Sequence, residues 1–492
     1  MTNENGNAKT GSGESKSEVL DPELKIEGPE RVELKKELGL PTACALIMSA
    51  IIGSGIFISP KEVLRNTGSV GMCLCVWAGS GILAIGGALC FAELGTMIHK
   101  SGGEYVFLQA GIHNVVAYLW IWTVQIFTTP AGAAIKALTF AEYTVTLLPT
   151  CGSPRALKQA IAASCILTAY LTTAFSSKVA ARLVTCTTIA KVAACAVVAV
   201  GGIVKMAQGN LNDLPTGFEG TESSPSLIAL SFYSAVYTYD GWAAVTTVTE
   251  ELKNPRKMVP RAMAISLGAM ITLYMLMIVS YLSMMTKQEL LDADAVGVLW
   301  GDRALGPAAW LIPFSVMVST FGSSASGLFG TSRICFAAAR DKNFPEVISF
   351  IQVNRYTPFV AMTFLMIGSL VFILPSDPGQ LINFVGFFSN IFQGLVYVSL
   401  LILRWKKPDA PRSYKAPIPV AVLMVLLSIF LAVLPLMKNP RIELLYGLAG
   451  ILAGLVFYVP CVVYDKALPG TDRITMFIQL VCNVAPPPAY ED

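Results

Sequence analysis

The chain reads as an all-α membrane protein of twelve transmembrane helices, with the first and sixth spans broken. Three observations predict this. Of its 492 residues 54% are hydrophobic and only 14% charged, with a mean hydropathy of +0.61, whereas a soluble domain carries about 25% charged residues. The apolar residues gather into stretches long enough to cross roughly 30 Å of hydrocarbon. Two of these stretches are interrupted, at Ile51-Ile52-Gly53-Ser54-Gly55-Ile56-Phe57 and at Tyr237-Thr238-Tyr239-Asp240-Gly241-Trp242. Irregular backbone at membrane depth survives only where it lines a cavity, because hydrocarbon offers it no hydrogen bonds. Matched breaks in the two halves of a chain are how inverted-repeat carriers hold a small charged solute.

Residues 1–40 are polar, lack the apolar core of a signal peptide, and read as a disordered cytoplasmic tail. Spans are expected at about 41–66, 69–95, 115–148, 158–177, 180–206 and 225–249. The second half adds about 261–285, 306–339, 357–375, 380–403, 415–437 and 443–465. The third and eighth are long enough to tilt. Residues 41–206 (spans one to five) and 225–403 (spans six to ten) form the two halves. Spans eleven and twelve occupy 415–465, and 466–492 is a second polar, cytoplasmic tail.

Basic loops set the orientation. Lys253, Arg256, Lys257 and Arg261 follow span six, Arg340, Lys342 and Arg355 follow span eight, and Arg404, Lys406, Lys407, Arg412 and Lys415 follow span ten. The opposite loops carry acids, among them Asp213, Glu219, Glu222, Glu289 and Asp302. Both termini are therefore expected in the cytoplasm, with Lys61, Arg65, Arg155 and Lys158 as exceptions outside. Two histidines (His99 and His113) and no CxxC pair argue against the commoner metal sites. No metal, cofactor, enzymatic activity or nucleic-acid partner is expected.

Most of the eleven cysteines, such as Cys73, Cys90 and Cys195, lie in apolar runs and act as small hydrophobes. Cys151 differs, in the short polar segment Pro149-Thr150-Cys151-Gly152-Ser153-Pro154 on the outer, oxidising side. No Asn-x-Ser/Thr sequon occurs. At the far end Pro487-Pro488-Ala489-Tyr490 matches the PPxY pattern read by WW domains, though plain disorder suits the segment better.

At the first break, Gly53 and Gly55 permit an unwound backbone. Unwinding frees amides at the start of the next half-helix, where they and its positive end suit a carboxylate, with the Ser54 hydroxyl beside them. The same Gly-x-Gly spacing equally suits two helices packed closely. At the second break, Asp240 is an acid in an apolar segment, which must face water, a partner or a ligand. A helix cap near the membrane surface is the other reading. Tyr237, Tyr239 and Trp242 are placed to cover a solute. Lys191 lies inside span five, either reaching the interface or standing as a fixed cation. Lys136 in span three can snorkel outward, and the sequence assigns it no role.

Several of these stretches resemble a known family. Ile51-Ile52-Gly53-Ser54-Gly55-Ile56-Phe57-Ile58-Ser59-Pro60-Lys61 is similar to the first-span signature of the light subunits of heteromeric amino acid transporters, the L-type family. So are Gly87-Ala88-Leu89-Cys90-Phe91-Ala92-Glu93-Leu94-Gly95-Thr96, Ser101-Gly102-Gly103-Glu104-Tyr105, and Thr249-Glu250-Glu251-Leu252-Lys253-Asn254-Pro255-Arg256. The likeness spans roughly residues 34–465. It implies the amino acid–polyamine–organocation superfamily and a leucine-transporter-like 5+5 inverted repeat, with two further helices.

Carried onto this chain, the resemblance implies that Ser54 and Gly55, with Gly53, hold a substrate carboxylate. Carbonyls near Ile51, Ile52, Tyr237 and Thr238 receive its amino group, beside Gly241, and Tyr237 forms an aromatic gate. Members preferring large neutral amino acids tend to carry Gly or Ser where this chain has Asp240. The Tyr-Asp-Gly-Trp found here resembles the broad members that take neutral and dibasic amino acids and cystine. Thr129, before Pro130, departs from relatives with a basic residue there and argues against glutamate. Lys191 falls where sodium-coupled relatives bind an ion. Cys151 matches the loop that disulfide-links to a single-span glycoprotein heavy chain. The expectation is a sodium-independent amino acid exchanger of the plasma membrane. The alternatives are a large-neutral amino acid exchanger and a proton-coupled or uniporting carrier.

Overall fold

The computed structural model describes residues 39–98, 102–148, 154–175, 177–353, 355, 357–375, 377–438, 442–464 and 471–486. The N-terminal tail, Cys151 and Pro487–Tyr490 lie outside these described residues. The chain opens with α1 (Leu40–Ile51), α2 (Gly55–Thr67), α3 (Val70–Met97), α4 (Glu104–Gly111), α5 (Asn114–Thr123) and α6 (Thr129–Val145). It continues with α7 (Arg155–Phe175), α8 (Ser177–Ala207), α9 (Pro225–Tyr239), α10 (Pro255–Met284), α11 (Lys287–Asp292) and α12 (Val296–Leu305). The last are α13 (Leu311–Arg340), α14 (Phe359–Val371), α15 (Pro378–Lys406), α16 (Ile418–Lys438), α17 (Ile442–Phe457) and α18 (Thr471–Cys482).

Among the described residues, five helices are long and apolar enough to cross a membrane alone: α3, the Thr185–Ala207 part of α8, α10, α13 and α15. Helices α1 and α2 qualify together, as one span bent by 48°. Each of the twelve stretches expected from the sequence contains a helix, and α14, α16 and α17 are the shorter apolar ones. The protein is thus an all-helical, multi-span membrane protein.

Sequence chemistry marks the boundaries. Pro41, Pro225, Pro255 and Pro378 sit in the first turns of α1, α9, α10 and α15, where a missing N–H costs nothing. Ser69 caps α3 by accepting from the Met72 amide at 3.3 Å. Helices α5 and α6 run on through a π-helical turn at Val124–Thr128. Pro130, just beyond it, has no amide for the ladder and crowds the preceding turn, and such turns concentrate at functional sites.

The short helices α4, α11, α12 and α18 add to the expected spans, and α18 lies within the stretch expected to be a polar tail. Its Ile478 and Cys482, one turn apart, pack on Phe350, Val360 and Val484. Strand β1 (Ile351–Gln352) then pairs antiparallel with β2 (Val484–Ala485), tying the end of the chain to the α13–α14 connection. In the α10–α13 connection, Thr286 and Glu289 form a capping box at the start of α11. Glu289 also pairs with Arg303, and these bonds hold its carboxyl down at about 2.

The spans pack as two groups. Helices α1, α2, α3, α9 and α10 lie against one another, as do α6, α7, α13 and α14. Helix α8 touches α10 in one group and α13 in the other. A buried ionic cluster closes one end. Glu93 on α3, fully buried, accepts from Arg404 Nε at 2.9 Å and from the Ala416 amide at 2.8 Å. Arg412 Nε lies 3.3 Å from the same carboxylate. Buried carboxylates are tolerated when paired and hydrogen-bonded in this way.

Candidate solute site

The two breaks meet. Helix α1 makes its last ladder bond from the Ile52 amide to Met48 O at 2.9 Å, and the chain then bends through Gly53 and Ser54 before α2 begins. Among the described residues, the Gly53 and Ser54 amides reach no backbone carbonyl. Helix α9 continues through Tyr237 and Thr238 and ends at Tyr239, so the second break is narrower than its sequence pattern, comprising Asp240 and Gly241. Beyond it Trp242–Glu251 wind as a 3-10 helix.

Glycine is required at both breaks for steric reasons. Gly241 has φ +107°, and a Cβ there would stand 2.7 Å from the Ala50 carbonyl carbon. A Cβ on Gly55 would stand 2.8 Å from Thr238 Cα. Each break therefore rests a glycine on the backbone of the other. The close-packing reading of the Gly-x-Gly spacing holds for Gly55, alongside whatever its amide binds.

Together the breaks line a cavity of about 320 Å³. Gly53, Ser54, Gly55, Tyr237, Asp240 and Gly241 all contribute to its wall, with Ile51. Asp240 is exposed to it, as an acid in an apolar segment should be. Ser54 Oγ is buried without a hydrogen-bond partner, near the Tyr237 phenol but outside bonding geometry. Two carbonyls at the breaks are partly engaged. Ile51 O accepts from the Tyr274 hydroxyl at 3.1 Å, and Tyr237 O from the Asp240 amide at 3.3 Å. A carbonyl has two lone pairs, so each can still accept once more. Ile52 and Thr238 are buried beside the cavity and not on its wall, and Thr238 Oγ1 donates back to Ser234 O at 3.0 Å.

Of the three aromatics expected over the solute, Tyr237 is on the cavity wall, Trp242 lines an adjoining pocket with Tyr237 and Asp240, and Tyr239 is elsewhere. Tyr239 is fully buried against Trp77 and Tyr274, with ring centroids at 6.0 and 5.3 Å. Trp242 stands edge-on to Phe91 at 4.9 Å. On a helix, residues two apart face different ways, so Tyr237 on the cavity leaves Tyr239 in the core.

Lys136, whose role the sequence leaves open, lines the cavity, as do Glu104 and Trp120. Trp120 Nε1 donates to Glu104 Oε2 at 2.5 Å, fixing that carboxylate. The signals for these were present as charges inside or beside apolar runs, but nothing in one dimension says which way a helix faces. Lys191 is 2% exposed and off the cavity wall. One turn earlier, Thr188 shares a 2.8 Å hydrogen bond with Ser49 of α1 and Thr187 abuts Gly322 of α13, placing Lys191 near the junction of α8 with both groups.

A mixed-charge cavity between two interrupted helices is the arrangement of a solute carrier, and comparison with known proteins agrees. The amino acid permease family matches across residues 38–458. Human b(0,+)-type amino acid transporter 1 is 39% identical over 467 residues, covering 94% of this chain and 96% of that protein. The mouse protein of that name is 39% identical over 457 residues, covering 92% and 94%. Human large neutral amino acids transporter small subunit 2 is 40% identical over 431 residues, covering 87% and 80%. The chain belongs to the amino acid permease family.

Proposed function

We propose that this chain is a sodium-independent amino acid exchanger of the plasma membrane, taking neutral and cationic amino acids and cystine. The observation that carries this reading is the cavity where the two breaks meet, with unpaired amides on one side and Asp240 on the other. The substrate carboxylate docks on the amides of Gly53, Ser54 and Gly55 at the positive end of α2. Its amino group lies toward the carbonyls of Ile51 and Ile52 and the end of α9, around Tyr237 and Thr238. Tyr237 closes over it, and Asp240 receives a distal ammonium or guanidinium. Lys191 is the fixed cation standing where a coupling ion would bind.

A substrate shifts the carrier only by binding one conformation better than another. If the empty site cannot close, each outward trip needs a returning passenger, which is exchange. The architecture that suits this is twelve spans with a 5+5 inverted repeat and both termini in the cytoplasm. The likeness to a protein named for large neutral amino acids supports a second reading, in which Asp240 plays no part in selection.

Asp240→Asn separates the two readings. Arginine and lysine uptake should fall about tenfold or more, the scale of one charge-assisted bond, with leucine uptake much less changed. An equal loss for all three would assign Asp240 to structure. In the same vesicles, uptake with and without internal amino acid tests exchange, and equal rates would leave a uniporter or a proton-coupled carrier.

The same reading makes the chain the light subunit of a heterodimer, joined through Cys151 to a single-span glycoprotein. The words "small subunit" in a relative's name support a partner, as does the missing sequon. Cys151→Ser should abolish the high-mass band on a non-reducing gel of the co-expressed pair. Survival of that band would mean that another cysteine makes the link.

A further inference from the structure

Lys136 is a cation that neither the breaks nor the fold requires. It stands seven residues beyond Thr129 on α6, two turns along the same face, and both line the cavity. Its Nζ rests against α13, 3.4 Å from where a Gly327 Cβ would stand. Asp240 occupies another wall, at the end of α9, and each charge lies within electrostatic reach of the other. Among the described residues no ion pair joins them. Ser324, three residues before Gly327 on the same helix, lines the cavity too, and its buried hydroxyl has no hydrogen-bond partner. Glu104 is a second carboxylate on the wall, with one oxygen accepting from the Trp120 indole.

We propose that Lys136 is a specificity residue, forming with Asp240 a bipolar pair of cavity walls that favours an amino acid whose side chain ends in a second amino-acid head. This rests on the reading of the cavity as an amino acid site. The near head occupies Gly53–Gly55; the far ammonium meets Asp240, and the far carboxylate meets Lys136 and Ser324 Oγ. A side chain ending in an ammonium alone gains Asp240 but is repelled by Lys136. One ending in a carboxylate alone meets the reverse. The cavity volume is at the lower end of small-molecule sites, about 300–1,000 Å³.

The full chain in leucine-loaded proteoliposomes provides the test, with labelled cystine, arginine and leucine as probes. Lys136→Met should lower cystine uptake about tenfold relative to leucine, the scale of a lost charge-assisted bond, and raise arginine uptake. Lys136→Arg, keeping the charge, should retain cystine. An unchanged cystine-to-leucine ratio in Lys136→Met overturns the proposal, as does a parallel loss of all three substrates. Should the variants fail to fold, the wild type decides by competition: cystine should inhibit leucine uptake at lower concentration than arginine, and the reverse order overturns the proposal. A wild type that moves none of the three overturns the transport reading itself, which is a different result.

Discussion

Gly241→Ala is expected to abolish amino acid uptake and lower the melting temperature of the purified chain. Two costs combine. The residue holds φ +107°, a conformation that penalises any Cβ by roughly 1–2 kcal/mol. The added carbon would also lie 2.7 Å from the Ala50 carbonyl carbon and 3.0 Å from the Ile51 amide nitrogen. These neighbours are backbone and cannot rotate away. The end of α1 must move, and with it the unpaired amides of Gly53 and Ser54. Radiolabelled uptake and a thermal melt on the same preparation check this. Wild-type uptake at an unchanged melting temperature would show that the breaks do not interlock as described.

Glu93→Ala is expected to destabilise the chain by about 3–5 kcal/mol, the cost of leaving buried charge without its partner. Glu93 is fully buried, and the Arg412 side chain is only 3% exposed. Losing the carboxylate strands both arginines and leaves the Ala416 amide without an acceptor. Because Arg404 ends α15 and Arg412 and Ala416 belong to the α15–α16 connection, this end of the bundle should loosen first. Hydrogen exchange of residues 404–416 and the melting temperature are the measurements. Glu93→Asp should recover part of the loss, and an alanine variant as stable as wild type would mean that the cluster contributes nothing net.

The two predictions differ in how far the sequence announced them. Gly53-Ser54-Gly55 and Asp240-Gly241 stand out in one dimension, because small and acidic residues within apolar runs are conspicuous. Their mutual contact is not written there: it joins residues nearly two hundred positions apart, as Gly55 and Thr238 do. Lys136 was visible as a charge, but its direction depends on the rotation of α6, which the π-helical turn at Val124–Thr128 alters. Tyr239 differs because proximity in sequence is not proximity in space: two residues past Tyr237 it faces the core. Glu93 sat inside a recognisable motif with no hint that its partners lay 311 and more residues away. Helices α4, α11 and α12 are too short for periodicity to reveal, while α18 has the length but lies in a stretch that reads as a polar tail.

The division of the spans into two packed groups gives the cavity a further property. Gly53–Gly55 and Asp240 belong to one group, and Lys136, Ser324 and Gly327 to the other. If the proposed exchange slides the two groups past one another, a solute in contact with both is a pin across the joint. Grip and glide then draw on the same contacts. A passenger held too firmly on both sides would jam the joint, while one held on a single side would leave the other free to wander. The best passengers would be those whose hold on the two sides changes in step as the groups move.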